Sequence, residues 1–357
     1  MKHGAKKLHK TIVTAILLLI CAGVMLLPSA AFGAGGGQDV GFYVKAIIPD
    51  NQIDKTLTYF DLRMAPGGEQ MLQVQVVNDS AAPMTANISA ISASTSRTGV
   101  IDYRTPGVRD ETLRVPFSEI ARVENSVITI PAGGTGIAVI DVAMPESSYD
   151  GVVLGGILIT KKNVAPETAG GETQAGMSIR NEYSYIVGVK LTMTDVIVLP
   201  DFEYPKAEAG LINYKPAVIH MIRNKEAAIV KNLHIAIDVF EKNGVTPLAS
   251  LKDAVDMAPN SVMPIGTKLP SGQLGAGDYR SQVRLEWEGR VWEFEQNFSV
   301  ANDEARTIRD SAVPVNTATE LPAWFFILSV CAVVLLALIF ILLLWRRRKK
   351  DEHEEAE

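Results

Sequence analysis

Apolar residues recur at every second position over most of the chain, and this alternation limits the fold more than any other feature of the sequence. Leu72, Val74 and Val76 alternate with glutamines, between a Pro-Gly-Gly turn and an Asn-Asp-Ser turn. A period of two places one set of side chains on one face of a β-strand. With no long helical period between residues 42 and 191, the pattern predicts an all-β fold, an antiparallel sandwich of immunoglobulin-like type.

The segment 152–159 differs from this alternation because it is apolar at every position except Gly155 and Gly156. Such a run is typical of a central strand that is buried on both faces. A glycine inside a strand often marks the close approach of another backbone, so we expect one there. Further alternating segments at 126–131, 138–144 and 185–191 predict three more strands, and the Gly/Thr/Glu-rich stretch 163–177 predicts an exposed loop.

A second domain of strands is predicted from about residue 194, after which prolines interrupt the chain. Near its end, Glu288-Gly289 separates two alternating segments. A two-residue turn there pairs Trp287 with Arg290 and Leu285 with Trp292, and it puts both tryptophans on one face. Other apolar residues share that face, which favours a core position over a ligand platform.

The two apolar ends of the chain predict export and anchoring. A basic start, an apolar run and small residues indicate a signal peptide at 1–33, with cleavage after Ala31 or after Gly33 equally compatible. Residues 323–345 carry no charge and precede five cations. A helix of that length reaches ~34 Å and spans a hydrocarbon core of ~30 Å, with the basic end on the cytoplasmic side.

These features divide the chain into consecutive parts. The division is a signal peptide (1–33), a first sandwich (39–193), a second sandwich (194–301), a polar stalk (302–322), the transmembrane helix (323–345) and a cytoplasmic tail (346–357). Leu321-Pro322 resembles the start of a sortase signal, but no Thr-Gly follows to be cut. We therefore expect the helix to keep the protein in the cell membrane, with its domains extracellular.

Charge and cysteine content restrict the partners. The chain carries a net charge of −6, and loss of four leader lysines leaves the exported part near −10. This charge argues against electrostatic capture of nucleic acid or of an anionic polymer, and it favours neutral, cationic or shape-matched partners. The only cysteines, Cys21 and Cys331, lie in the apolar ends. The exported part therefore has no disulfide, which is typical of a bacterial surface more than of a eukaryotic one.

The sequence predicts no catalytic site, no metal site and no cofactor, and it leaves the binding residues unknown. His220 and His234 lack the spacing of a zinc motif and have no nucleophile motif to accompany them. The arginines between 97 and 122 alternate with carboxylates, which predicts a nearly neutral region. Four tyrosines could stack on sugar rings or face the core, and sequence alone does not separate these roles: Tyr43, Tyr59, Tyr103 and Tyr149.

A succession of short motifs resembles the WxL-interacting proteins of Gram-positive bacteria. The opening motifs are Gly41-Phe42-Tyr43-Val44, Ile48-Pro49-Asp50-Asn51-Gln52, Tyr59-Phe60-Asp61-Leu62, Ala65-Pro66-Gly67 and Val76-Val77-Asn78. Tyr149-Asp150-Gly151 and Leu154-Gly155-Gly156-Ile157 follow, then Ala258-Pro259-Asn260-Ser261 and Gly277-Asp278-Tyr279. The resemblance covers nearly the whole chain. It implies a peptidoglycan-binding domain followed by a host-binding domain.

The leading hypothesis is a non-enzymatic adhesin and scaffold on the cell surface. The resemblance implies peptidoglycan, WxL-domain surface proteins and host extracellular proteins as partners, beside the membrane that holds the C-terminal helix. The alternative is a membrane-tethered chaperone or assembly factor that lends a strand edge to surface proteins and has no glycan affinity of its own. An enzyme acting on wall polymers is disfavoured because no acid/base pair or nucleophile stands out.

Overall fold

The computed structural model describes residues 40–104, 109–162, 182–269 and 274–312. The first domain contains β1 (Phe42–Ile47), β2 (Phe60–Arg63), β3 (Glu69–Asn78), β4 (Met84–Ser92), β5 (Ser94–Thr95), β6 (Ile101–Asp102), α1 (Phe117–Ile120), β7 (Ala121–Val123), β8 (Val127–Ile130), β9 (Thr135–Ala143), β10 (Val152–Lys161) and β11 (Ser184–Thr192). The second contains β12 (Phe202–Ile212), β13 (Lys215–Asn224), β14 (Val230–Glu241), β15 (Ala249–Met257), β16 (Ser261–Lys268), β17 (Gly277–Trp287), β18 (Arg290–Val300) and α2 (Asn302–Ser311).

Each domain is a sandwich of two sheets. In the first, sheet β1-β3-β9-β7 faces sheet β2-β11-β10-β4-β8, and β5 and β6 form a separate two-stranded sheet. In the second, sheet β12-β13-β16 faces sheet β15-β14-β17-β18. All pairings are antiparallel except that of β2 with β11. This strand order is that of the immunoglobulin fold, so the predicted all-β architecture is confirmed.

Alternation along the strands determines which side chains form the cores. Leu72, Val74 and Val76 of β3 are fully buried and belong to one cluster with Ile157 and Val189 of the opposite sheet. Strand β10 lies between β11 and β4, as predicted for a central strand. The groups that pack against Gly155 and Gly156 of this strand differ from those predicted.

Gly155 and Gly156 accommodate aromatic side chains, so the expected close approach of a backbone is wrong. A Cβ atom on Gly155 would overlap the ring of Phe117, which is fully buried between α1 and the sheet. On the opposite face, a Cβ atom on Gly156 would lie 3.1 Å from Cδ1 of Tyr103. The two glycines therefore make room for one ring in the core and one ring outside it.

The hairpin that closes the second domain has the predicted register. Trp287 pairs with Arg290 and Leu285 with Trp292. Glu288 and Gly289 have φ values of 46° and 78°, as a two-residue hairpin turn of type I′ requires. Both tryptophans are partly buried against the core cluster that contains Leu285, so the face is a core face.

The start of the predicted stalk differs from the prediction. Residues 302–311 form α2, whose buried Ala305 and Ile308 join a core cluster of the second domain with Val300. The amphipathic spacing of these two residues is that of a helix lying on a sandwich. Residues 302–311 therefore extend the second domain.

A buried asparagine ends one strand of each sandwich, Asn78 in β3 and Asn224 in β13. The side-chain amide of Asn78 donates to the carbonyl oxygens of Ala82 and Pro131 at 2.8 and 2.9 Å. That of Asn224 donates to Ala228 at 2.8 Å and to Ala258 at 3.0 Å. Each amide therefore links the end of its strand to the carbonyl groups of two other residues.

Several predicted segments lie outside the described residues. They are the signal peptide at 1–33, the loop at 163–177 and the transmembrane helix at 323–345. Within the described ranges, no helix has both the length and the apolar character needed to cross a membrane.

A small polar group separates two apolar clusters in the second domain. His220 is fully buried, and its Nδ1 lies 2.7 Å from the Tyr204 hydroxyl and 3.2 Å from that of Ser281. Its Nε2 atom has no hydrogen-bond partner among the described residues. Burial lowers the pKa of His220 to about 4, because the interior does not solvate an imidazolium ion.

We expect the stability of the protein to fall as the pH drops from 6.5 towards 4. Over this interval His220 takes up a proton in the unfolded chain but stays neutral in the folded chain. The free energy of unfolding is therefore unaffected by His220 above pH 6.5 and decreases as the pH falls below it. The difference between 6.5 and about 4 corresponds to ~3 kcal/mol. Urea denaturation of the wild type and of His220→Gln at each pH measures this. An equally steep pH dependence in both proteins would contradict the assignment.

Gly155→Ala should destabilise the first sandwich by about 1–3 kcal/mol, because the added methyl group overlaps the fully buried ring of Phe117. Gly188→Ala on the neighbouring strand is the matched control, since its nearest neighbour would be Tyr59 Cβ at 3.7 Å, an ordinary contact. Thermal unfolding should show a lower midpoint for the first variant and little change for the second. Equal midpoints would refute the packing argument.

Candidate functional site

The hairpin β5–β6 of the first domain packs against the second domain. The hydroxyl of Thr95 lies 2.6 Å from that of Ser261 and accepts a hydrogen bond from the backbone N–H of Ala258 at 3.0 Å. The carbonyl of Gly99 accepts from the N–H of Asp256 at 2.8 Å. These contacts hold the end of β15 and the turn before β16 against the first domain. The backbone N–H of Val152 donates to the carbonyl of Ala227 at 2.8 Å, which brings the loop before β14 against the first domain as well.

An ion-pair cluster supports the same interface. Arg223 of the second domain donates through Nε to the buried Asp110 of the first at 2.9 Å. The guanidinium group also lies 2.8 Å from Glu111 and 3.1 Å from Glu203. Because Asp110 is almost fully buried, Arg223 supplies the charge that its carboxylate needs.

A groove of about 750 Å³ lies beside this interface, over the outer face of sheet β2-β11-β10-β4-β8. We call it the lysine–tyrosine groove. It is lined by Val44, Lys45, Ala46, Ile48, Lys55, Thr56, Leu57, Thr58, Tyr59, Ile101, Tyr103, Leu154, Tyr185, Ile186, Val187, Gly188, Val189, Lys190, Ile229 and Lys231. Its volume is in the range of small-molecule sites. Ile229 and Lys231 come from the second domain, so both domains form its wall.

Two tyrosines lie close together in this groove. Gly156 of β10 and Gly188 of β11 are directly paired, and Tyr103 and Tyr59 lie above them. Tyr59 is 39% exposed. Burial raises the pKa of Tyr103 and the adjacent Tyr59 raises it further, so Tyr103 keeps its hydroxyl proton at neutral pH. The pair offers aromatic faces with hydroxyl groups, a surface suited to sugar rings.

The loop that carries Tyr59 is held by a buried glutamine. The Gln52 side chain donates to the carbonyl oxygens of Tyr59 at 2.8 Å and Asp54 at 3.1 Å, and it accepts from the N–H of Asp61 at 3.0 Å. Fixing the backbone on both sides of Tyr59 reduces the conformational entropy that a ligand would have to remove. Gln52, Tyr59 and Asp61 all belong to the motifs through which the sequence resembles the WxL-interacting proteins.

Every charged residue that lines the groove is a lysine. Lys190 lies 3.2 Å from Asp61 and Lys231 lies 2.7 Å from Asp256. Lys45 and Lys55 are exposed and form no ion pair within the part of the chain that the structure describes. Asp54 precedes Lys55 in the chain, so a carboxylate lies next to three of the four lysines.

The other sequence candidates lie elsewhere. Tyr43 is 50% exposed on the outer face of the opposite sheet. Tyr149 donates to Asn260 at 3.0 Å across the domain interface, and His234 is exposed on β14. The arginine-rich region is paired with carboxylates, as predicted for a nearly neutral region, through Arg104–Asp102, Arg109–Glu119 and Arg122–Asp141. Of the four tyrosines, the fold brings two together, and sequence spacing carried no signal for that pairing.

A second cleft, of about 710 Å³, lies between the domains on the side of Arg109 and Arg223. Both arginines are paired with carboxylates that line the same cleft, among them Glu119 and Asp110. Its charges are therefore satisfied by the protein, in contrast to those of Lys45 and Lys55. No cluster of potential metal ligands occurs within the described ranges.

Two family models match the chain in succession. Residues 42–161 match the WxL Interacting Protein peptidoglycan binding domain, and residues 174–310 match the WxL Interacting Protein host binding domain. Both are described as binding domains and neither as an enzyme family. The second match starts before β11, which pairs with β10 in the first sandwich, and extends through most of α2.

Solved structures with a related arrangement include bacterial chaperones. The Pseudomonas aeruginosa CupB2 chaperone is 13% identical, with 64% of this chain and 91% of that chain covered and a TM-score of 0.25. The E. coli chaperone DraB is 13% identical, with 73% and 97% covered and a TM-score of 0.28. The YadV chaperone is 10% identical, with 72% and 100% covered and a TM-score of 0.29. Scores this low support no inference about function.

The comparison with curated proteins returned no match. The two family models cover the first and second domains in the order that the sequence motifs imply. The chain therefore belongs to the WxL-interacting protein family.

Proposed function

We propose that this protein is a membrane-anchored adhesin and scaffold that binds cell-wall peptidoglycan through the lysine–tyrosine groove. The observation that carries the proposal is the pair of tyrosines, Tyr59 and Tyr103, above paired glycines in the domain that matches a peptidoglycan-binding family. Aromatic faces provide a large contact area at low conformational cost, and their hydroxyl groups serve as hydrogen-bonding partners for sugars.

The second domain supplies the remaining partners in this proposal. Its match to a host-binding domain supports contact with host extracellular proteins, and membership of the family supports an association with WxL-domain surface proteins. Because Ile229 and Lys231 complete the groove, the second domain also contributes to glycan binding. The isolated first domain lacks these two wall residues.

Tyr59→Ala should weaken peptidoglycan binding about tenfold, since truncation of a tyrosine at the centre of a contact costs on the order of 1.4 kcal/mol. The measurement is co-sedimentation of the detergent-solubilised full chain with purified peptidoglycan from which teichoic acids have been removed. Tyr43→Ala is the matched control, because Tyr43 is comparably exposed but lies on the outer face of the other sheet. It should bind like the wild type.

If Tyr59→Ala and Tyr43→Ala bind peptidoglycan equally well, the groove is not the binding site. No sedimentation of the wild type would contradict glycan binding itself. If, in addition, deletion of the protein removed a WxL-domain protein from the cell surface, the assembly-factor alternative would account for the result.

Anchoring is the second part of the proposal, and the uncharged segment 323–345 with its five following cations supports it. We expect the protein to fractionate with the cell membrane and to be extracted completely by boiling in sodium dodecyl sulfate, which also disrupts non-covalent binding to the wall. Removal of residues 323–357 should abolish its recovery in the membrane fraction. Protein that stays with the wall after this extraction and is freed only by wall-degrading enzymes would show covalent attachment and contradict the proposal.

A further inference from the structure

We infer that the end of the second domain that points away from the first domain rests on the outer surface of the cell membrane, with Tyr214 and Val245 at the level of the lipid headgroups. The inference rests on the proposed anchoring through residues 323–345. It adds a second contact with the bilayer, which the folded domain itself makes.

Two turns and α2 lie together at this end of the sandwich. The turn between β12 and β13 carries Tyr214, and the loop between β14 and β15 carries Val245. Leu211, just before the turn, packs against the apolar cluster that contains Ala249, just after the loop, and Ile308 of α2. The chain leaves the domain through α2, so both turns lie on the side from which it continues to the predicted span.

The length of the connection keeps this end near the bilayer. Helix α2 ends at Ser311 and the uncharged segment starts at residue 323, so eleven residues separate them. Fully extended, a chain of this length reaches at most ~40 Å, and a flexible one has an r.m.s. end-to-end distance of ~20 Å. The two turns are therefore held close to the lipid.

The backbone at Tyr214 indicates a role outside the domain. Ile212 pairs with Lys215, and the two residues between them, Asn213 and Tyr214, have φ values of 49° and 60°. Such a turn favours glycine at its second position, and a bulky residue there is strained. Because Tyr214 is 67% exposed, packing within the domain offsets little of this strain. A strained residue with few internal contacts points to an external partner.

The chemistry of the two side chains fits a membrane surface. Tyrosine is enriched at the membrane–water interface, because its ring leaves water while its hydroxyl group stays hydrated. Val245 is 92% exposed at the tip of its loop, so its side chain can enter the headgroup region without any change in the fold. Two such residues bind lipid weakly. A short tether supplies an effective concentration in the millimolar range, at which a weak contact is populated.

Charge does not select the partner, because acidic and basic side chains are mixed at this end. Lys242 beside the loop lies 3.4 Å from Asp278. Helix α2 carries three carboxylates and two arginines, namely Asp303, Glu304, Asp310, Arg306 and Arg309. We therefore expect the contact to form on neutral lipid and to change little with salt, unlike one that depends on anionic headgroups.

The test places a fluorescent label at residue 245 of the full chain in vesicles of phosphatidylcholine with brominated acyl chains, which quench nearby fluorophores. The chain has only two cysteines, so Cys21→Ser/Cys331→Ser gives a background in which Val245→Cys alone takes the label. Ile197→Cys is the matched control, because Ile197 is 84% exposed but lies between β11 and β12, next to the first domain. The label at 245 should be quenched about threefold more strongly, since headgroup contact brings it within ~10 Å of the acyl chains.

Tyr214→Gly in the Val245→Cys background tests the tyrosine. Glycine adopts the same φ without strain, so the midpoint of thermal unfolding should stay the same or rise, while quenching of the label at 245 should fall. A lower midpoint with unchanged quenching would show that the ring packs within the domain, and it would overturn the role of Tyr214.

Flotation of the vesicles separates this inference from the proposed anchoring. Protein that floats with the vesicles but shows equally weak quenching at 245 and 197 would overturn the membrane contact and leave the anchoring intact. The same quenching would result if another protein, and not lipid, covers these turns in the cell. Protein that does not float would overturn the anchoring and the contact together.

Discussion

Burial of alternating aliphatic side chains between two sheets is the interaction on which this structure depends. The chain has only two cysteines, Cys21 and Cys331, and both lie outside the described domains, so no disulfide holds these strands together. Each fully buried residue of the kind of Leu72 or Ile157 contributes about 1.5–3 kcal/mol relative to its exposed state. Residues at the outward positions of the same strands do not contribute to this core. Gly156, Gly188 and Lys190 occupy such positions; Gly188 and Lys190 line the groove, and Gly156 lies beneath Tyr103.

The groove also depends on how the two domains meet. Asp256 connects the two features through separate atoms. Its backbone N–H donates to Gly99 of the hairpin that joins the domains, and its carboxylate lies 2.7 Å from Lys231 in the groove wall. A displacement of the second domain would therefore alter the wall of the groove.

Local rules accounted for much of the fold. The turn at Glu288-Gly289 specifies the register of the last hairpin, since a two-residue turn allows only one pairing of its strands. Contacts between residues that are far apart in the chain could not be predicted from such local rules. Gly155 signalled a close approach, but its partner Phe117 is 38 residues away in the chain, and only the folded core shows that it is a ring. Residues 302–311 read as polar because only two of them, Ala305 and Ile308, are buried.

The sequence by itself determined the all-β class, the strand alternation and the family, because these depend on residues that are neighbours in the chain. The tertiary structure alone decided the candidate site. Lys45, Lys55, Tyr59, Tyr103 and Lys231 come from separate strands and loops and from both domains. Net charge averages over the whole surface and cannot indicate such a site. Only the fold brings these residues within contact of one ligand.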